Sequence, residues 1–88
     1  MADLENQTVL ITGCSTGIGL ALAREFHKKG HQTFATARRP ESLDQLKAEG
    51  IPTEQLDVTD PTSIERAVSS VIEQAGRLDI LVTTAGFN

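Results

Sequence analysis

Gly13, Gly17 and Gly19 sit at the junction between an apolar run and an amphipathic one, in VLITGCSTGIGLALAREF. Glycine lets a backbone turn tightly and lets a ligand approach without a Cβ in the way. If the second run is a helix, the free amides at its start carry partial positive charge and suit an anion such as a phosphate. Gly13 would then make the turn, while Gly17 and Gly19 would let a pyrophosphate and the helix come close. Ser15, Thr16 and Ile18 fill the spaces between them. The spacing is neither G-x-G-x-x-G nor a Walker loop, since no Lys-Ser/Thr follows the glycines. The bland alternative is a structural turn followed by a helix cap.

The elements that must hold this loop are legible in the pattern. Thr8 to Thr12 is a short β-branched run that predicts a buried strand. From Gly17 the period becomes helical, with Ile18, Leu22 and Phe26 recurring every four residues. Lys28 and Lys29 suit its last turn, and Gly30 stops it. Gln32 to Ala37 predicts a second strand. Pro40 opens a short helix through Leu43 and Leu46, ending near Gly50. Thr53 to Val58 predicts a third strand. Asp60 caps a helix with Pro61 at its first position, and Ile64, Ala67, Val68, Val71, Ile72 and Ala75 form its apolar face up to Gly76. Asp79 to Thr84 predicts a fourth strand.

The order is βαβαβαβ, which implies parallel strands and right-handed crossovers. The expected fold is α/β, a partial Rossmann-like doubly wound parallel sheet with strand order 3-2-1-4 over residues 1–88. The first two helices should cover one face and the third the other. One helix cannot cover the whole second face, so an apolar patch and an apolar edge at strand four are expected, with a tendency to associate.

Composition narrows the partners. Eighty-eight residues suit one small domain, and a hydrophobic fraction of 39% is ordinary for a globular chain. A formal net charge of -4 argues against broad nucleic-acid binding. Arg38 and Arg39 are a local exception. The single cysteine, Cys14, excludes an internal disulfide. The acidic, polar start MADLENQ does not read as a signal peptide, and no apolar run approaches the roughly 20 residues that span a bilayer. A soluble, reducing compartment, the cytoplasm, is the expectation.

TGCSTGIG, from Thr12 to Gly19, resembles the T-G-x-x-x-G-I-G loop of the short-chain dehydrogenase/reductase family. Asp57 with Val58 resembles the family's adenine-contacting Asp-Val after the third strand. TTAG, from Thr83 to Gly86, stands where the family usually has N-N-A-G, so Ala85 and Gly86 match while Thr83 and Thr84 replace two asparagines. A threonine hydroxyl cannot donate and accept as an amide does. The resemblance runs over about residues 6 to 88. It implies a dinucleotide site built from Gly13, Ser15, Thr16, Gly17, Ile18, Gly19, Asp57, Val58, Ala85 and Gly86.

Which dinucleotide turns on the end of the second strand. An NAD enzyme commonly places there an acid that binds the ribose hydroxyls. Here Ala37 holds that place and Arg38 follows. A carboxylate would repel a 2′-phosphate, whereas a guanidinium binds it with charge-assisted hydrogen bonds. Arg38 therefore points to NADP(H) over NAD(H). Arg39 reads equally as a second contact or as a solvated charge.

The resemblance also implies a catalytic serine, a tyrosine and a lysine three residues after the tyrosine. The chain contains no tyrosine. Family members run to about 250 residues. The expectation is the cofactor-binding N-terminal part of an NADP(H)-dependent carbonyl or alcohol oxidoreductase, completed by further polypeptide or working as a homo-oligomer. The rival is a non-catalytic dinucleotide-binding or interaction fragment. Cys14 beside a helix start could be a nucleophile, but no motif links it to His27 or His31, and a plain loop position is preferred. His27 and His31 are four apart, yet Gly30 intervenes, so a surface pair is expected rather than a metal site. Glu65 and Glu73 read as a solvated helix face.

Overall fold

The computed structural model describes residues 7–15 and 17–83. Strand β1 (Thr8–Ile11) leads into helix α1 (Gly17–Lys28) and strand β2 (Gln32–Ala37). A 3-10 turn over Pro40–Leu43 runs directly into the short helix α2 (Asp44–Ala48). Strand β3 (Thr53–Gln55), helix α3 (Pro61–Ala75) and strand β4 (Ile80–Val82) follow. The sheet order is β3-β2-β1-β4, all parallel, as the alternation of elements implies. Registers are Leu10 opposite Phe34 and Leu81, and Ala37 opposite Gln55.

The period-two geometry of a strand sends neighbours to opposite faces. Val9 and Ile11 of β1 join Ala35 and Ala37 of β2 in one cluster. Ala23 of α1, Leu43, Leu46 and Ile51 complete it, with Leu20, Leu22 and Phe26 packed around. Leu10 and Phe34 point the other way and meet Leu56, Ala67 and Val71 beneath α3. The first two helices thus cover one face and α3 the other. Arg24 of α1 reaches Glu49 just past α2, donating from Nε at 3.0 Å and from Nη2 at 2.7 Å. Asp79 fastens the start of the β1–β4 pair: its Oδ2 accepts from the Thr8 amide at 2.8 Å while its own amide donates to Thr8 O. The Thr8 amide, with Arg77 beside it, holds the Asp79 carboxyl below the usual carboxylate range.

Several boundaries differ from the sequence expectation. Strand β1 ends at Ile11 rather than Thr12, and β4 covers only Ile80–Val82, with Thr84 outside the described residues. Helix α1 ends at Lys28, so Lys29 lies past it, while β2 spans Gln32–Ala37 as expected. Strand β3 stops at Gln55, leaving Asp57 and Val58 in the turn beyond. Its pairing with β2 runs out where β2 itself ends at Ala37. Ile18 and Ile72 belong to no core face; they are 63% and 46% exposed. Each lies about 100° round its helix from a buried neighbour, Gly19 or Val71, and so faces away from the sheet. Capping of α3 is as expected: Asp60 Oδ1 accepts from Thr62 N at 3.0 Å, and Gly76 takes a left-handed φ of 85°.

On the α3 face an open groove of about 150 Å³ remains, lined by Leu10, Leu56, Val58, Ile64, Val68 and Leu81 with Thr12 and Thr83. Strand β4 forms the sheet edge there, and Leu81 is 52% exposed. Among the described residues this apolar patch is open, as the topology implies.

Cys14 belongs to the core and not to the surface. It is fully buried, its amide donates to Thr36 O at 2.8 Å, and its thiol donates to Ile11 O at 3.2 Å. Burial pushes the thiol up to about 11, against any lowering by the nearby helix start.

Two outcomes follow from this packing. Leu46→Ala, at a site 1% exposed, should lower unfolding free energy by about 2–5 kcal/mol in urea titration. Leu81→Ala should cost under about 1 kcal/mol, and equal losses would contradict the core described above. Ellman's reagent at pH 8 should label Cys14 only after denaturation; stoichiometric labelling of the folded chain would show an open, reactive thiol.

Candidate functional site

In a parallel sheet the loops after successive strands gather at one end. Here the glycine loop follows β1, Arg38 and Arg39 follow β2, Asp57 and Val58 follow β3, and Thr83 follows β4. Strand order reverses between β1 and β4, because β2 and β3 lie on one side of β1 and β4 on the other. Such a reversal opens a crevice outside the carboxyl ends of the strands.

The glycine loop is shaped by its backbone. Gly13 and Gly17 take φ values of 67° and 64°, left-handed conformations that cost most L-residues about 1–2 kcal/mol. Gly19 does something else: it is buried in α1, against the sheet. A Cβ built on Gly17 would meet no atom of the other described residues beyond its own turn and helix within 4 Å, so its side is open. Ser15, Gly17 and Ile18 are exposed at this mouth, and the first turn of α1 carries no acidic residue. Thr16, Ala85 and Gly86, also expected to contribute, lie outside the described residues.

Thr36 holds the loop in place. Its carbonyl accepts from Cys14 N at 2.8 Å, and its hydroxyl donates to Ile11 O at 2.7 Å. Thr12 N donates to Val82 O at 2.9 Å on the other side. The sequence pattern puts Thr36 in a strand and gives it no further role. A threonine in a β run looks like strand propensity, and nothing in the pattern marks its hydroxyl as a clamp.

The end of β2 divides sharply by burial. Ala37 is 4% exposed, whereas Arg38 and Arg39 are exposed. Neither arginine forms an ion pair among the described residues. Asp57 lies near Arg38. Its Oδ1 accepts from Thr59 Oγ1 at 2.6 Å and Thr59 N at 2.9 Å. Those two bonds, with the Arg38 charge adding to them, lower the Asp57 carboxyl below its ordinary range. The carboxylate is thereby kept ionised and aimed by its own turn. Val58, 43% exposed, presents an apolar wall at the mouth of the groove.

The other candidates have structural occupations. His31 Nδ1 accepts from Gln7 N at 3.2 Å, and its ring packs edge-on against Phe26 at 5.5 Å. His27, Glu65 and Glu73 are exposed. Among the described residues no helix is long and apolar enough to cross a membrane.

Known proteins share this arrangement. The short chain dehydrogenase family model matches residues 7–88. The NADPH-dependent 1-acyldihydroxyacetone phosphate reductase of Schizosaccharomyces pombe is 48% identical over 80 residues, 89% of this chain and 27% of that protein. The NADP-dependent 3-hydroxy acid dehydrogenase of Salmonella typhi is 42% identical over 81 residues, 89% of this chain and 33% of that one. Among solved structures, a 3-ketoacyl-(acyl-carrier-protein) reductase from Brucella melitensis complexed with NADH superposes with a TM-score of 0.82 at 26% identity. It covers 90% of this chain and 34% of its own. The chain thus spans about a quarter to a third of the length of the relatives it matches. With the glycine loop, the strand order and a family match along nearly all its length, the chain belongs to the short-chain dehydrogenase family.

Proposed function

We propose that this chain supplies the adenosine and pyrophosphate end of an NADP(H) site in an oxidoreductase acting on a carbonyl or alcohol. The observation that carries the cofactor preference is the end of β2: a buried Ala37 where an acid would read a ribose hydroxyl, then an exposed Arg38. The donor set fits the dinucleotide. The open, positive start of α1 at Gly17 and Ile18 takes the pyrophosphate, and Ser15 adds a hydroxyl. Arg38, with Arg39 next to it, takes the 2′-phosphate. Asp57 offers an ionised acceptor to the adenine amino group, and Val58 offers its apolar side to the ring. Gly19, buried in α1, belongs to the same segment, and Thr16, Ala85 and Gly86 are assigned to the site by their place in the sequence. The bound cofactor supplies the hydride; these residues bind and orient its adenosine half. The NADP-dependence in the names of two relatives supports this reading, while the NADH bound to the Brucella structure leaves the preference to Arg38.

A second reading is a dinucleotide-binding or interaction role exerted through another chain. The intact mass of the native product separates the two. A longer native chain carrying Tyr-x-x-x-Lys supports the enzyme, and a native mass matching these residues alone supports the fragment. The cytoplasm fits either reading.

Two substitutions test the site. Arg38→Asp should weaken NADPH by about ten- to a hundredfold and NADH far less, the scale of one charge-assisted contact of about 1.5–3 kcal/mol. Calorimetric titration of both cofactors reads this, and equal losses would remove the assignment. Gly17→Val should abolish binding of either cofactor, because a branched residue at φ 64° distorts the loop and projects into the open space. An undiminished affinity in the folded variant would reduce Gly17 to a turn former.

A further inference from the structure

The three carbonyls that lead out of β2 are each held differently. Ala37 O accepts from the Leu56 amide at 3.0 Å, as the last rung of the β2–β3 ladder. Arg39 O accepts from Ser42 N at 3.0 Å and Ser42 Oγ at 2.6 Å, within its own turn. Arg38 O lies between them, past the end of the ladder. Its bond comes from the side chain of Gln55, whose Nε2 donates at 3.2 Å. Gln55 is the register partner of Ala37 and the last residue of β3, so its amide is placed one residue further along β2 than its backbone can reach.

We propose that Gln55 is a positioning residue for 2′-phosphate selection, fixing the Arg38 peptide so that the guanidinium is presented before the ligand arrives. The inference rests on the NADP(H) reading of Arg38. An exposed arginine on a free peptide has backbone and side-chain freedom to lose on binding, and each opposes affinity. A donor on the Arg38 carbonyl removes the backbone share in advance. The flanking bonds cannot do this, because a rotation of the Arg38–Arg39 peptide leaves Ala37 O on Leu56. Gln55 is itself exposed and packs in neither core cluster, so its amide is free for this contact. The effect should fall on ligands with a 2′-phosphate and spare those without one.

The test uses nucleotides that need no nicotinamide site. Adenosine 2′,5′-bisphosphate and 5′-AMP are titrated by calorimetry into the full chain and into Gln55→Met, Gln55→Ser, Arg38→Ala and the Gln55→Met/Arg38→Ala double variant. Both Gln55 variants should bind the bisphosphate about three- to tenfold more weakly, the range for one neutral hydrogen bond, with 5′-AMP unchanged within about twofold. In the Arg38→Ala background Gln55→Met should cause no further loss, since the coupling runs through Arg38. An equal loss for both nucleotides, or the same loss with and without Arg38, overturns the proposal and leaves Gln55 a structural residue. If Arg38→Ala weakens the bisphosphate and neither Gln55 variant does, the positioning role falls and the NADP(H) reading stands. If the intact chain shows no preference for the bisphosphate and Arg38→Ala changes nothing, both fall.

Discussion

The central strand β1 ends inside the protein, and its last polar groups must be satisfied there. Ile11 O is buried and cannot reach water, and an unpaired buried carbonyl costs about 1–3 kcal/mol. Thr36 on the neighbouring strand meets that demand with its hydroxyl and takes the Cys14 amide with its carbonyl. The chain between Ile11 and Cys14 is therefore pinned at both ends while it reverses direction. Gly13 makes the reversal with a positive φ. Everything beyond, including the open start of α1, is placed by this clamp.

The sheet that carries the clamp is covered unequally. Among the described residues one face has α1, the 3-10 turn and α2, joined further by the Arg24–Glu49 pair, and the other has α3. The exposed pair contributes little by itself, so the burial of Leu43, Leu46 and Ile51 is what fastens α2 to the sheet. On the α3 side, the groove beside Leu81 is the direct geometric result of four strands and one helix. Among the described residues no buried side-chain nitrogen or oxygen lacks a hydrogen-bond partner, so the open groove is an apolar surface and not a polar defect.

Binding and specificity are separated along the chain. The glycine loop offers backbone and space, which suit any pyrophosphate. On the NADP(H) reading proposed above, selection between dinucleotides falls to a few side chains after β2, where a buried small residue gives way to exposed cations. Asp57 stands near Arg38 without forming an ion pair with it, and its Oδ1 is held by Thr59.

Residue order alone determined the alternation of strands and helices, the parallel sheet and the glycine loop. Each rests on local chemistry: β-branched runs, a helical period, Asp60 with Pro61 as a cap, and glycines as stops. It also marked Ala37 and Arg38, since the contrast of a small residue with a cation is visible without coordinates. Tertiary structure decided what depends on a partner distant in sequence. The β3 boundary at Gln55 is set by where β2 runs out, not by Thr53–Val58 itself. Ile18 and Ile72 fit an apolar period, yet only the placement of the sheet shows that they face away from it. Cys14 reads from the sequence as a plain loop position beside a helix start, and only the packing buries it and raises its thiol. Thr36 and Gln55 carry no motif at all, because a hydrogen bond across 25 or 17 residues leaves no period for a sequence to display.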